Sequence, residues 1–163
     1  APGQSQYVRF TLTAPKSCEW MEKKGIIFFE ESIPPSASAV GATVIIQVGA
    51  TVYLSFPETV HAFHLYDARV EIPAEGPPYA LLDLANEGQA HVRYQVTYQI
   101  SREDGTRYDA IGSEEQLILP ANRRLLALPF DPELPTGNYQ LAITLNFVGT
   151  SDKLVKTIPF SIL

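Results

Sequence analysis

Alternation of apolar and polar residues with period two dominates the second half of the chain. Over residues 91–101, Val92, Tyr94, Val96, Tyr98 and Ile100 fall on one side, with Arg93, Gln95, Thr97 and Gln99 on the other. Ten residues of strict alternation specify a strand with one buried face. The same period places Tyr139, Leu141, Ile143, Leu145 and Phe147 together over residues 139–148, and Leu126, Leu128 and Phe130 over 124–130. Leu154, Ile158, Phe160 and Ile162 share a face of the last strand. Strands over 64–72, 79–85 and 108–111, and one that begins at 116–119 and continues into 124–130, bring the predicted total to seven. Clusters such as Asn86-Glu87-Gly88 and Glu103-Asp104-Gly105 punctuate them, as turns between short strands require. Pro159 cannot donate to a ladder, so its strand is predicted to present that position away from a partner.

The first 58 residues read differently. Strands are predicted over 6–13, 25–31 and 40–56, the last breaking at Gly49. Residues 32–38, Ser-Ile-Pro-Pro-Ser-Ala-Ser, form a linker. Val8, Phe10 and Leu12 alternate with Tyr7, Arg9, Thr11 and Thr13. Ile26, Ile27, Phe28 and Phe29 follow one another without a break, which implies burial on both faces of that strand. Three or four strands cannot close a two-layer core, so the chain divides into an incomplete sheet over 1–58 and a complete sandwich over 59–163.

Leu134-Pro135-Thr136-Gly137-Asn138-Tyr139 leads into the long strand at 139–148. A Tyr just inside a strand after a Pro/Gly corner is the tyrosine corner of immunoglobulin-like sandwiches, its hydroxyl returning to backbone upstream. Leu134, Gly137 and Tyr139 are therefore assigned a structural role. The predicted fold is all-β: an immunoglobulin-like seven-stranded β-sandwich preceded by an incomplete immunoglobulin-like sheet.

The order of three segments resembles bacterial pilus-chaperone-like proteins of the PapD type. Gly25-Ile-Ile-Phe-Phe-Glu-Glu is similar to a late strand of their first domain, and Val40-Gly-Ala-Thr-Val-Ile-Ile-Gln-Val-Gly-Ala-Thr-Val-Tyr-Leu to its long final strand. Leu119-Pro-Ala-Asn-Arg-Arg-Leu followed by Leu134-Pro-Thr-Gly-Asn-Tyr is similar to the second domain of divergent relatives. The resemblance implies two immunoglobulin-like domains and an exported location, periplasmic or at the cell surface. Such chaperones hold a subunit's C-terminal carboxylate with basic residues of an interdomain cleft. No basic pair matches here, Arg9 and Arg69 being the nearest candidates, and the earlier half of the first domain has no counterpart.

Composition narrows the chemistry. Of 163 residues, 45% are apolar and 18% charged, with 13 Pro and 10 Gly, as a folded β-rich chain requires. A net charge of −6, with no basic run longer than Lys23-Lys24 or Arg123-Arg124, argues against a nucleic-acid surface. No apolar run is long and uninterrupted enough for a membrane helix. The chain opens at Ala1 without Met, which predicts removal of a signal peptide, or a fragment of a longer protein. Cys18 is the single cysteine, so no disulfide forms within the chain.

His61, His64 and His91 lack the tight spacing and Cys or carboxylate partners of a zinc site. The carboxylates Glu30-Glu31, Glu114-Glu115 and Asp131/Glu133 fall at strand ends or turns, Glu103-Asp104 is too sparse for calcium, and Ser113 lies in no nucleophile frame. No catalytic residue, metal, cofactor or small-molecule substrate is expected.

The leading expectation is an exported, non-enzymatic protein that works through protein contacts. It is a surface or pilus-type assembly subunit whose open half-domain is completed by β-strand addition between chains. Its candidate contact residues are Val8, Phe10 and Leu12 as the donor, with Ile26, Phe28, Val44 and Ile46 around the acceptor. Two alternatives stay open: a periplasmic chaperone-like module that binds subunit strands, and a carbohydrate-binding sandwich.

Overall fold

Ten strands and no helix occupy the residues that the computed structural model describes, which are 5–14, 21–30, 45–130 and 134–163, with backbone alone at 109–112. β1 (Lys23–Glu30) and β2 (Gln47–Leu54) form a two-stranded antiparallel ribbon. The remaining strands are β3 (Phe63–Glu71), β4 (Tyr79–Asn86), β5 (Val92–Arg102), β6 (Arg107–Gly112), β7 (Gln116–Ile118), β8 (Asn122–Pro129), β9 (Gly137–Phe147) and β10 (Lys153–Ile162). They make a sandwich of two sheets, β3-β4-β8 and β10-β9-β5-β6, with β7 joining the free side of β5 beyond β6.

Packing follows the alternation. Val92, Tyr94, Val96, Tyr98 and Ile100 of β5, with Tyr139, Leu141, Ile143 and Leu145 of β9, are buried against Ala80, Leu82 and Leu84 of β4 and Leu128 of β8. Each large apolar side chain removed from water in this way contributes on the order of 2 kcal/mol. β10, which carries Pro159, pairs on one side only among the described residues, the placement that proline tolerates.

Tyr139 is buried and its hydroxyl donates to the Pro135 carbonyl at 2.5 Å, while Phe160 stacks on its ring at 5.3 Å. Gly137 has φ 155°, and a Cβ there would meet the Arg102 guanidinium at 2.8 Å. Arg102 in turn donates to the Thr136 carbonyl.

Three expectations are corrected. The strand predicted to run from 116 through 130 is two strands in different sheets. Residues 116–118 pair with β5 and 122–129 with β4, and the chain changes sheets at Ala121, whose φ is 57°. Ile118 before the switch and Leu126, Leu128 and Phe130 after it share one phase, which made the two segments read as one. Gly49 does not break β2: the ladder with β1 runs through it, pairing it with Phe28. Its missing side chain leaves room for Ile26 and Phe28, which a Cβ would meet at 3.1 Å. Residues 5–14 are not a strand, because no ladder partner reaches them among the described residues.

Candidate protein-interaction site

The register of the ribbon decides what each of its faces offers. Lys24↔Tyr53, Ile26↔Thr51, Phe28↔Gly49 and Glu30↔Gln47 place these residues on one face, because paired residues of an antiparallel ladder share a side. Lys23↔Leu54, Gly25↔Val52, Ile27↔Ala50 and Phe29↔Val48 make the other. The first face is mixed. The second is continuously apolar from Leu54 to Val48.

The four consecutive apolar residues of β1 imply cover on both faces, and most of that cover is lacking among the described residues. Ile26 is 56% exposed, Phe28 58% and Val48 60%. Leu12, Thr13 and Ala14 line a cavity with Gly25, Ile27, Val52, Leu54 and Phe56, so the N-terminal segment overlies the apolar face at its base. Further out on that face, among the described residues, Phe29 and Val48 remain exposed. Outside their shared ladder, β1 and β2 have no strand partner among the described residues.

The candidate contact residues fall into three groups. Val8, Phe10 and Leu12 lie on the segment 5–14, which forms no regular element, each more than half exposed. Ile26 and Phe28 stand side by side on the mixed face. Ile46 precedes β2 and is in phase with the opposite, apolar face, so it does not join Ile26 and Phe28. Val44 lies outside the described residues, as do Cys18 and Trp20. Val48, Val52 and Leu54 were missed, and Ile27 and Phe29 entered only through the run that needs cover on both faces. Their signal was the parity of two strands, legible only once the register is known.

Where the ribbon meets the sandwich, a buried carboxylate gathers both. Glu22, with 2% of its side chain exposed, directly precedes β1 and donates its backbone N–H to Gln89 O at 3.0 Å. Its Oε1 accepts the backbone N–H of His91 at 3.1 Å, and its Oε2 accepts the Ser55 hydroxyl at 2.9 Å. His91 Nδ1 lies 2.5 Å from the same Oε2. A carboxylate only accepts, so the network assigns the proton to Nδ1. The Tyr53 ring packs on the imidazole at 4.2 Å. The residues before β1 and after β2, at one end of the ribbon, thus meet the β4–β5 connection on one carboxylate.

Beside this joint, at the end of the sandwich, a cleft of about 440 Å³ is lined by Phe63, Phe147 and Leu154 with His61, Arg93 and Lys153 at its rim. Arg93 is engaged by Glu115. Arg69, one nearest candidate for a carboxylate anchor, lies away from this cleft: its guanidinium sits between Asp67 and Glu71 on the outer face of β3. Arg9 sits on the segment 5–14.

Several other polar groups pair locally. His64 approaches Glu87 at 3.3 Å. Tyr66 carries the Arg123 guanidinium over its ring and donates to Glu87, whose hydrogen bond raises the phenol above its ordinary value. Arg123 also clasps Asp83 and holds that carboxyl below the usual range. Among the described residues no three His, Cys, Asp or Glu side chains converge on a metal position, and no helix is long and apolar enough to cross a membrane. No family model matches the chain, and no curated protein is similar to it.

Proposed function

We propose that this is a non-enzymatic, exported assembly protein that acts through protein–protein contacts at a cell surface, its open ribbon completed by a strand from a neighbouring chain. The observation that carries this reading is the apolar face of Ile27, Phe29, Val48, Ala50, Val52 and Leu54, covered at its base and open beyond it. A two-stranded ribbon alone is marginal in water, and each large side chain left open on that face forgoes roughly 2 kcal/mol of burial. The outer edges of β1 and β2 carry N–H and C=O groups that an incoming strand satisfies.

The donor is the segment 5–14 of a second copy. It has no ladder among the described residues, and it alternates Val8, Phe10 and Leu12 with polar residues, the pattern that strand addition uses. The exported location rests on the resemblance to PapD-type proteins. A peptide spanning residues 5–14, added in excess, competes with this exchange and shifts the protein toward its monomer. A mass that is multimeric and insensitive to the peptide contradicts the donor assignment.

A chaperone-like module that binds foreign strands is the second reading, favoured by the cleft beside the ribbon joint with Arg93 and Lys153 at its rim. It predicts a monomer that takes up foreign strands.

A further inference from the structure

We propose that the outer edge of β1 pairs with the β1 edge of a second copy, antiparallel and about a twofold axis at Ile27, joining two ribbons into one four-stranded sheet. This contact is separate from the exchange of segment 5–14 and leaves that segment the outer edge of β2, so the two stand or fall apart.

The strand edges of the sandwich are blunted by the devices that keep sheets from joining. β10 carries Pro159 with Lys153 and Lys156. β3 bulges between Leu65 and Asp67, β8 opens on Arg123 and Arg124, and β6 shifts register against β5. β1 has neither proline nor bulge, and its ladder with β2 runs unbroken from Lys23 to Glu30. Its outer edge has no strand partner among the described residues.

Charge selects the register. Lys24 and Glu30 lie three residues to either side of Ile27. Along a strand they stand about 20 Å apart, too far to pair within one chain, and their ladder partners on β2 are the uncharged Tyr53 and Gln47. Setting Ile27 against Ile27 of the second copy brings Lys24 opposite Glu30 at both ends, with Ile26 opposite Phe28 between them. Parity is kept, so the apolar face of one ribbon continues into that of the other. A slide of one residue joins the apolar face to the mixed one, and a slide of two unpairs both charges.

Gly25 supplies a second observation. In this register it stands opposite Phe29 of the second copy, on the apolar face. Nothing lies within 4 Å of the place a Gly25 Cβ would take, and Phe29 is exposed. The same pairing is already filled inside the ribbon. Phe28 faces Gly49, with its ring 3.1 Å from the place of a Gly49 Cβ. In each pair the aromatic covers the backbone that glycine bares. Two strands alone are marginal in water, and an apolar sheet needs at least a third for independent stability. Pairing through β1 gives each ribbon four.

Cysteine cross-linking tests the pairing in the full chain, with Cys18→Ser removing the native thiol. Ile27 meets its own copy across the axis, where opposed Cα atoms stand about 4.5–5.5 Å apart, within disulfide reach. Ile27→Cys should oxidise to a covalent dimer, and Thr51→Cys, on β2, should not. In the parent chain, Lys24→Glu or Glu30→Lys should each weaken self-association roughly tenfold at low salt, and the double reversal should restore it. No dimer at Ile27→Cys, an equal dimer at Thr51→Cys, or a double reversal as weak as the single ones overturns the proposal. Excess peptide of residues 5–14 separates the two contacts, since the Ile27→Cys cross-link should persist whether or not the peptide lowers the mass. A cross-link that the peptide abolishes overturns the β1 pairing.

Discussion

The side-chain amide of Asn86 donates to the carbonyl of Ile118 at 3.0 Å, tying β4 of one sheet to β7 of the other. The same amide donates to Ala90 O at 2.7 Å, and its oxygen accepts the Gly88 N–H at 3.0 Å. The residue is wholly buried, so its three bonds have no water to replace them. Asn86→Ala should cost about 3 kcal/mol in denaturant unfolding, from two stranded carbonyls and one stranded N–H. A loss below about 1 kcal/mol would mean that the β4–β5 connection rearranges to satisfy them.

Gly88, two residues on, has no room for a side chain. A Cβ there would stand 2.7 Å from both Ala62 N and Val60 O, backbone atoms of the linker that ends at β3. Gly88→Ala should push the linker off the β4–β5 connection and destabilise by about 2 kcal/mol. Exchange of the Gln89 and Glu87 amides, bonded to Val60 O and Ala62 O, should accelerate before that of β9. Unchanged exchange there contradicts the tight contact.

Tyr139→Phe removes the corner hydrogen bond to Pro135 and should cost about 1 kcal/mol. Burial first, then the neighbouring Tyr108, hold this phenol above its ordinary value of 10.0. A tyrosine raised in the folded state contributes stability that is complete below the unfolded value and is lost as pH rises through the folded one. The variant should thus be less stable near neutrality but less sensitive to alkali. Identical alkaline limbs for the two proteins would contradict the burial of the hydroxyl.

Tyr94 makes the opposite case. Its side chain is fully buried, and its hydroxyl has no hydrogen-bond partner among the described residues. Burial raises its phenol, with Arg124 opposing. Tyr94→Phe keeps the ring contact with Phe63 at 5.5 Å and removes a desolvated polar atom, so unfolding free energy should rise by about 1 kcal/mol. A loss of that size would show that the hydroxyl is satisfied.

The sandwich was legible because its signals are local. Val92 to Ile100 alternate without exception, and the corner at Leu134 to Tyr139 carries its own turn chemistry. The sheet switch at Ala121 was hidden, since apolar positions stay in phase on both sides of it. Asn86 read as a turn residue because its partners, Ala90 and Ile118, are fixed only by tertiary placement. The ribbon was half legible. Ile26 to Phe29 announced two apolar faces, yet which β2 residues accompany each depends on a register that pairs Phe28 with Gly49. Glu22 and His91 lie 69 positions apart, and no pattern along the chain links them.

Strand exchange between copies is tested most directly by the mass in solution, measured by light scattering on an eluting size-exclusion peak. The parent chain should run as a multimer of its 18.0 kDa unit. Phe29→Asp, which sets a charge on the open apolar face beside Val48, should return it to a monomer with the sandwich intact. A parent that is a clean 18.0 kDa monomer at every concentration, or a variant that associates as the parent does, would contradict the account.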